Sequence, residues 1–224
     1  ARVALGTNDI DFRARPHSED ERSFLTSIVV GSQVTYRDID RADRVVLLGF
    51  EPEEESPIVF LRIHKQVRKR GLKVQSVAPF ASRGSRKLKA EIIKSAPGNE
   101  ASAISTLAGL TSKSVILVGE RLAESSGALS AAAKLASSTD AKLAWIPRRA
   151  GERGALEAGA LGTLLPGGRP VTDPQARVDM QAAWGVDSLP QSVGRDTDAI
   201  LKDLHGGKIE ALLVGGVDPL DISA

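Results

Sequence analysis

The 224 residues are 42% hydrophobic and 26% charged, enough for an ordinary core, and this excludes a long disordered chain. The 30 Lys and Arg against 28 Asp and Glu leave a formal charge of +2, too small a surplus to mark a nucleic-acid surface. Cysteine is absent, which excludes disulfides, thiolate nucleophiles and thiolate-held zinc or iron–sulfur centres within these residues. No apolar run approaches the roughly 20 residues of a membrane-spanning helix.

In chain order, Ala1–Asp40 shows little periodicity and is expected to pack as loops and short helices. Ala1–Ile10 is polar and acidic, without a signal-peptide pattern, and an opening Ala in place of Met suggests a processed or excised piece. Arg44–Leu48, followed by Gly49, is the first of three short aliphatic runs that end in glycine. Ser114–Val118 with Gly119 is the second, and Glu210–Val214 with Gly215 the third. Aliphatic runs without alternation fit strands covered on both faces, as in parallel sheets. Leu72–Ala78 and Lys142–Ile146 read as further strands of the same sheet.

Helical patterns separate these runs. Ser56 can cap a helix with Pro57 at its first position. Ile58, Leu61, Ile63 and Val67 follow as an apolar stripe, and Gly71 ends it. Asn99 can cap a second helix reaching to about Leu110, and Ser126–Ser138 is an Ala-rich third. Asp173–Trp184 and Asp196–His205 each open on a capping Asp. Ala78–Gly98 is basic and irregular, with a brief Ile92-Ile93 run and a Pro97-Gly98 turn.

The alternation predicts an α/β fold: a doubly wound, mainly parallel sheet with helices on both faces, Rossmann-like. Right-handed crossovers would put the loops after Gly49, Gly119 and Gly215 on one edge, at the carboxyl ends of the strands. The expected division is an irregular segment 1–40, an α/β core 41–150, a Gly/Pro-rich loop 151–174, and helices with a strand over 175–224. Asp218-Pro219-Leu220 follows the last run where another helix is expected, so the polypeptide is expected to continue. Ala150–Pro174, with glycines at 151, 154, 159, 162, 167 and 168 and prolines at 166, 170 and 174, reads as a functional loop or an intersubunit contact.

The glycine-ended loops are the natural places to test for nucleotide binding. None is G-x-G-x-x-G or a P-loop. Gly49-Phe50-Glu51-Pro52-Glu53-Glu54-Glu55 brings four carboxylates to a helix start. They suit the helix dipole but would repel a pyrophosphate. The basic stretches Arg62–Arg70, Arg83–Lys89 and Arg148–Arg153 read as solvated surface. Only Phe80 lies close to the second stretch as an aromatic platform for nucleic acid. His17, His64 and His205 are far apart, none at metal-ligand spacing, and no G-x-S-x-G elbow exists. No catalytic and no metal-binding residue is assigned.

Several segments carry a family resemblance. Gly6-Thr7-Asn8-Asp9-Ile10-Asp11-Phe12-Arg13-Ala14-Arg15 resembles the G-T-N-N-x-D-x-x-A-R segment of molybdopterin oxidoreductases. Ala42–Pro52 resembles their A-D-x-x-x-x-x-G-x-N-P loop, and Ser56-Pro57 with Leu61-Arg62-Ile63 the helix after it. Val118–Leu122, Trp145–Ala155 and Gly215-Gly216-Val217-Asp218-Pro219 are similar to a narrower group, the actinobacterial form of the G subunit of NADH-quinone oxidoreductase, respiratory complex I.

That resemblance implies a molybdopterin-oxidoreductase-like region of a hydrophilic-arm subunit, cytoplasmic and peripheral to the inner face of the cell membrane. Its partners would be other hydrophilic-arm subunits, with no nucleic acid and no direct membrane insertion. No cofactor is implied in these residues; iron–sulfur clusters are expected in the N-terminal part of the parent subunit. The role implied is structural and non-catalytic, in support of NADH-to-quinone electron transfer. The alternative is a fragment of a molybdopterin-dependent enzyme, of the formate dehydrogenase or nitrate reductase kind. Gly49, Glu51, Pro52, Gly119, Glu120, Gly215 and Gly216 would then line the pterin nucleotide. Glu51 stands where cofactor-bearing relatives have Asn, and a carboxylate cannot donate the hydrogen bond an amide can.

Overall fold

The structure, a computed structural model, describes residues 1–13 and 18–216. The chain forms two compact units, Glu19–Arg148 and Ala1–Ser18 with Arg149–Ala224.

In the first unit, α1 (Glu19–Phe24) runs into a π turn (Leu25–Val29), and α2 (Tyr36–Arg41) follows. Thr35 and Asp38 close a capping box on α2. The first three strands are β1 (Arg44–Leu48), β2 (Lys73–Ala78) and β3 (Glu91–Lys94). The last two are β4 (Val115–Gly119) and β5 (Lys142–Ile146), and all five form one sheet in the order β3-β2-β1-β4-β5. Every pairing is parallel, as the unalternated aliphatic runs require. The brief Ile92-Ile93 run, in the stretch read as irregular, is edge strand β3; its ladder to β2 is a tertiary fact that four residues do not announce.

Helices α3 (Pro52–Glu55) and α4 (Pro57–Arg70) carry the chain from β1 to β2. Gly71 ends α4 in the left-handed region, where a side chain would be strained. Ser56 stands at the start of α4 without a side-chain cap bond, since it also closes α3. Val59, Phe60, Ile63 and Val67 of α4 pack with Ile39 of α2 and with Val45, Leu47, Val115 and Leu117 of the two central strands. Alternation turns Val46, Leu48, Ile116 and Val118 to the other face, and all four are buried. Helix α5 (Arg83–Lys87) precedes β3, while α6 (Glu100–Ser105) and α7 (Ala128–Thr139) pack on each other. α6 stops short of the expected Leu110, and Asn99 makes no side-chain cap bond there.

In the second unit the Gly/Pro-rich stretch holds α8 (Glu152–Glu157) and a two-residue hairpin of β6 (Leu164–Leu165) and β7 (Arg169–Pro170). Its Leu156, Leu161, Leu164, Leu165 and Val171 are buried, so it supplies core to its own unit. Helices α9 (Pro174–Trp184) and α10 (Thr197–His205) open on Asp173 and Asp196, whose carboxylates accept from Gln175 and Ala199 amides as the sequence predicts.

Segment Thr7–Asp11, part of the motif-like opening, is a clamp. Arg2 Nε donates to Asn8 Oδ1 at 2.7 Å, and its terminal nitrogens donate to the carbonyls of Gly159, Leu161 and Leu164 at 2.8, 3.1 and 2.7 Å. Asn8 Nδ2 donates to the carbonyls of Pro190 and Ser192 at 3.1 and 2.7 Å. Asp9 accepts from the Arg195 amide at 2.7 Å and from its guanidinium at 2.5 Å.

One expectation is corrected. Glu210–Gly215 forms no strand among the described residues: it is exposed, with Leu213 86% accessible. A strand needs a neighbour for its amides and carbonyls, and an aliphatic run specifies only the appetite for burial.

Candidate functional site

The sheet order reverses between β1 and β4, because the chain winds from β1 outward through β2 and β3 and then returns to β4. In open α/β sheets this reversal leaves a crevice at the carboxyl ends of the strands. A cleft of about 490 Å³ lies there. The turns after β1 and β4 meet in it: Gly49, Phe50 and Glu51 from one side, and Arg121, Leu122, Glu124 and Ser125 from the other. Ser76–Phe80, the last three residues of β2 and the two that follow, together with Pro97, Gly98 and Glu100, complete the wall.

Two glycines make this meeting possible. Gly49 has φ +56°, and a Cβ on it would stand 2.6 Å from the Leu122 amide nitrogen. A Cβ on Gly119 would collide with the Gly49 carbonyl oxygen.

The carboxylates of the first turn are not equivalent. Glu55, 6% exposed at its side chain, accepts from Arg121 at 2.5 Å and from the Glu51 amide at 3.0 Å. Arg148 stands 3.8 Å from its other oxygen. Glu53 pairs with Lys87. Two of the four charges counted in sequence are therefore neutralised by cations brought in by the fold. Among the described residues Glu51 pairs with no cation; its Oε1 is buried without a hydrogen-bond partner, as are the second oxygens of Glu53 and Glu55, Glu100 Oε2 and Ser125 Oγ. The charged residues lining the cleft are Glu51, Glu100, Glu124 and Arg121, the last engaged by Glu55.

Of the residues grouped under the pterin alternative, Gly49 and Glu51 line the cleft. Pro52 is buried at the first position of α3, and Gly119 is buried behind Gly49. Glu120 accepts from the Arg148 amide at 2.8 Å and so ties down the turn after β5. Gly215 and Gly216 belong to the other unit and are exposed. Val217, Asp218 and Pro219 lie outside the described residues, as does His17. His64 stacks on Phe60 with ring centroids 5.6 Å apart, and His205 ends α10. Glu100 and Ser125 escape sequence reasoning because nothing local places them in the same cleft as Glu51.

A pterin dinucleotide is an anion with many acceptors. The cleft offers it buried carboxylate oxygens that lack donors and one arginine already paired, so the residues present do not fit that group. Among the described residues no group of three His, Cys, Asp or Glu side chains is placed to hold a metal ion.

Comparison with known proteins agrees with the segments singled out in sequence. The chain is 53% identical over 232 residues to the NADH-quinone oxidoreductase G subunit of Mycobacterium tuberculosis, covering 100% of this chain and 29% of that protein. The Streptomyces coelicolor G subunit is 47% identical over 253 residues, covering 99% of this chain and 30% of its own length. This chain belongs to the G-subunit family of NADH-quinone oxidoreductases. It spans about 29% of the length of such relatives. Over a shorter stretch it is 36% identical across 72 residues to formate dehydrogenase H of Escherichia coli, covering 32% of this chain and 10% of that one. That match accords with a molybdopterin-oxidoreductase-like fold beneath the G-subunit family. No protein-family profile matches the chain. Among the described residues no helix is long and apolar enough to cross a membrane.

Proposed function

We propose that these residues form a non-catalytic structural domain of the hydrophilic-arm G subunit, supporting NADH-to-quinone electron transfer carried out elsewhere in the parent assembly. The observation that carries the non-catalytic part is the switch-point cleft. Its Glu51 and Glu100 oxygens are buried without donors, and its one lining cation is held by Glu55. Such a lining disfavours the anionic nucleotides that this position in an α/β sheet commonly receives. The iron–sulfur clusters of the parent would be held by cysteines outside these residues, in its N-terminal part. Its place would be the cytoplasmic side, peripheral to the membrane, with other hydrophilic-arm subunits as partners.

A second reading, a fragment of a molybdopterin-dependent oxidoreductase, is favoured by the 72-residue match to formate dehydrogenase H. One experiment separates the two. The full-length parent is affinity-purified from solubilised membranes, its companions are identified by mass spectrometry, and molybdenum and tungsten are measured. Flavoprotein, iron–sulfur and quinone-module subunits without either metal are expected. A soluble protein with stoichiometric metal and pterin, free of those subunits, would overturn the scaffold reading.

A further inference from the structure

We propose that the switch-point cleft is a docking site for an arginine side chain presented by a neighbouring protein of the assembly. The inference rests on the reading of this chain as one component of a larger complex, and three features carry it. The first is charge: Glu51, Glu100 and Glu124 line the cleft against a single cation, Arg121, which Glu55 holds at 2.5 Å. The second is unmet acceptors. Glu100 Oε2 and the hydroxyl of Ser125, a residue 5% exposed, are buried with no hydrogen-bond partner, while Glu51 Oε1, also without one, is packed toward Gly84. Buried acceptors without donors are costly, and a guanidinium supplies five N–H donors and no acceptor. The third is the wall: Phe80, 69% exposed, stands with Pro79 and Pro97 around the cleft. A planar guanidinium stacks on an aromatic face while its fork of N–H groups reaches carboxylates, a geometry that the compact ammonium of lysine does not offer.

Other occupants fit less well. An anion meets the same three carboxylates. A metal ion lacks a ligand set among the described residues. No basic side chain of the described residues lines the cleft besides Arg121, and the proposal places the donor on a neighbouring protein.

The test uses the full-length protein in its native cells, with photoreactive p-benzoylphenylalanine in place of Phe80, a position exposed enough to accept it. After irradiation the protein is purified, and the cross-linked peptide and the companion proteins are identified from one sample. The expected product is a peptide of a different polypeptide with an arginine within a few residues of the adduct. Glu124→Gln, at an exposed position, is expected to lower the cross-link yield by about fivefold by removing one charge-assisted contact, and Glu51→Gln by at least as much. A peptide without arginine, a peptide of the same polypeptide, a yield indifferent to both variants, or no cross-link while companions co-purify would each overturn the proposal. An arginine peptide from a protein outside NADH-quinone oxidoreductase would sustain the docking site and overturn the proposed assembly instead.

Discussion

The carbonyl oxygen of Gly49 occupies the space that a Cβ on Gly119 would need. Gly49 follows β1 and Gly119 is the last residue of the neighbouring β4, on either side of the point where the sheet reverses, so the cleft depends on their contact. Gly119→Ala is therefore expected to destabilise the chain by about 3 kcal/mol, at the upper end for overpacking a buried site because backbone, not a flexible side chain, must move. Urea denaturation measures it. A loss under about 1 kcal/mol would mean that the strand ends separate easily.

Glu55 is the anchor of the turn after β1. It joins the Glu51 amide to Arg121, across 66 residues of sequence, with Arg148 beside its second oxygen. Glu55→Gln keeps the shape and removes the charge. The expected cost is about 2 kcal/mol, the scale of a charge-assisted bond at a largely buried acceptor. Thermal or chemical unfolding against Glu54→Gln, an exposed neighbour expected to cost little, isolates the effect.

Arg2 satisfies the carbonyls of Gly159, Leu161 and Leu164 and the side chain of Asn8 while itself buried. Arg2→Met fills part of the volume but leaves these acceptors without a donor. A loss of about 3 kcal/mol or more is expected. Hydrogen exchange should show it as faster opening of 159–171. Unchanged protection there would sink the assignment of Arg2 as a clamp.

Two carboxyls of the first unit make its stability sensitive to acid. The Lys142 side chain, with Thr35, holds the Asp38 carboxyl well below its usual range. At Asp43 burial pushes upward, but hydrogen bonds from Thr111 at 2.6 Å and Ser114 at 2.7 Å outweigh it, and the pKa is lowered. Folded-state values below the unfolded ones mean a contribution fully present above about pH 4. It is lost as pH falls through the folded-state values. Asp43→Asn is expected to flatten the acid limb of a stability-versus-pH curve and to cost about 1 kcal/mol at neutral pH. An acid limb as steep as in the parent would refute the role of Asp43.

Much of the local structure was legible in the residues. Strands β1, β2, β4 and β5 follow from aliphatic runs, helices α9 and α10 from their capping Asp residues, and the end of α4 from Gly71; the buried face of α4 is Val59, Phe60, Ile63 and Val67, while Ile58 and Leu61 of the expected stripe are exposed and Ser56 makes no cap bond. Segment Thr7–Asp11 was legible as a motif but not as a clamp, because its partners at 190–195 lie far along the chain. The count of four acidic residues after Gly49 overstated the local charge, because Arg121, Arg148 and Lys87 arrive from other elements.

What the sequence alone determined was the α/β class, the position of the central strands and the glycine-ended turns, since backbone propensity and burial pattern act over a few residues. The family was legible there too, in segments short enough to be read without a fold. Only the tertiary structure decided that Gly49 and Gly119 lie side by side, that Glu51 stays without a partner while Glu55 does not, and that Glu210–Gly215 joins no sheet. Each of these depends on which distant surfaces meet, and an apolar or acidic run states what it needs without naming the residue that will supply it.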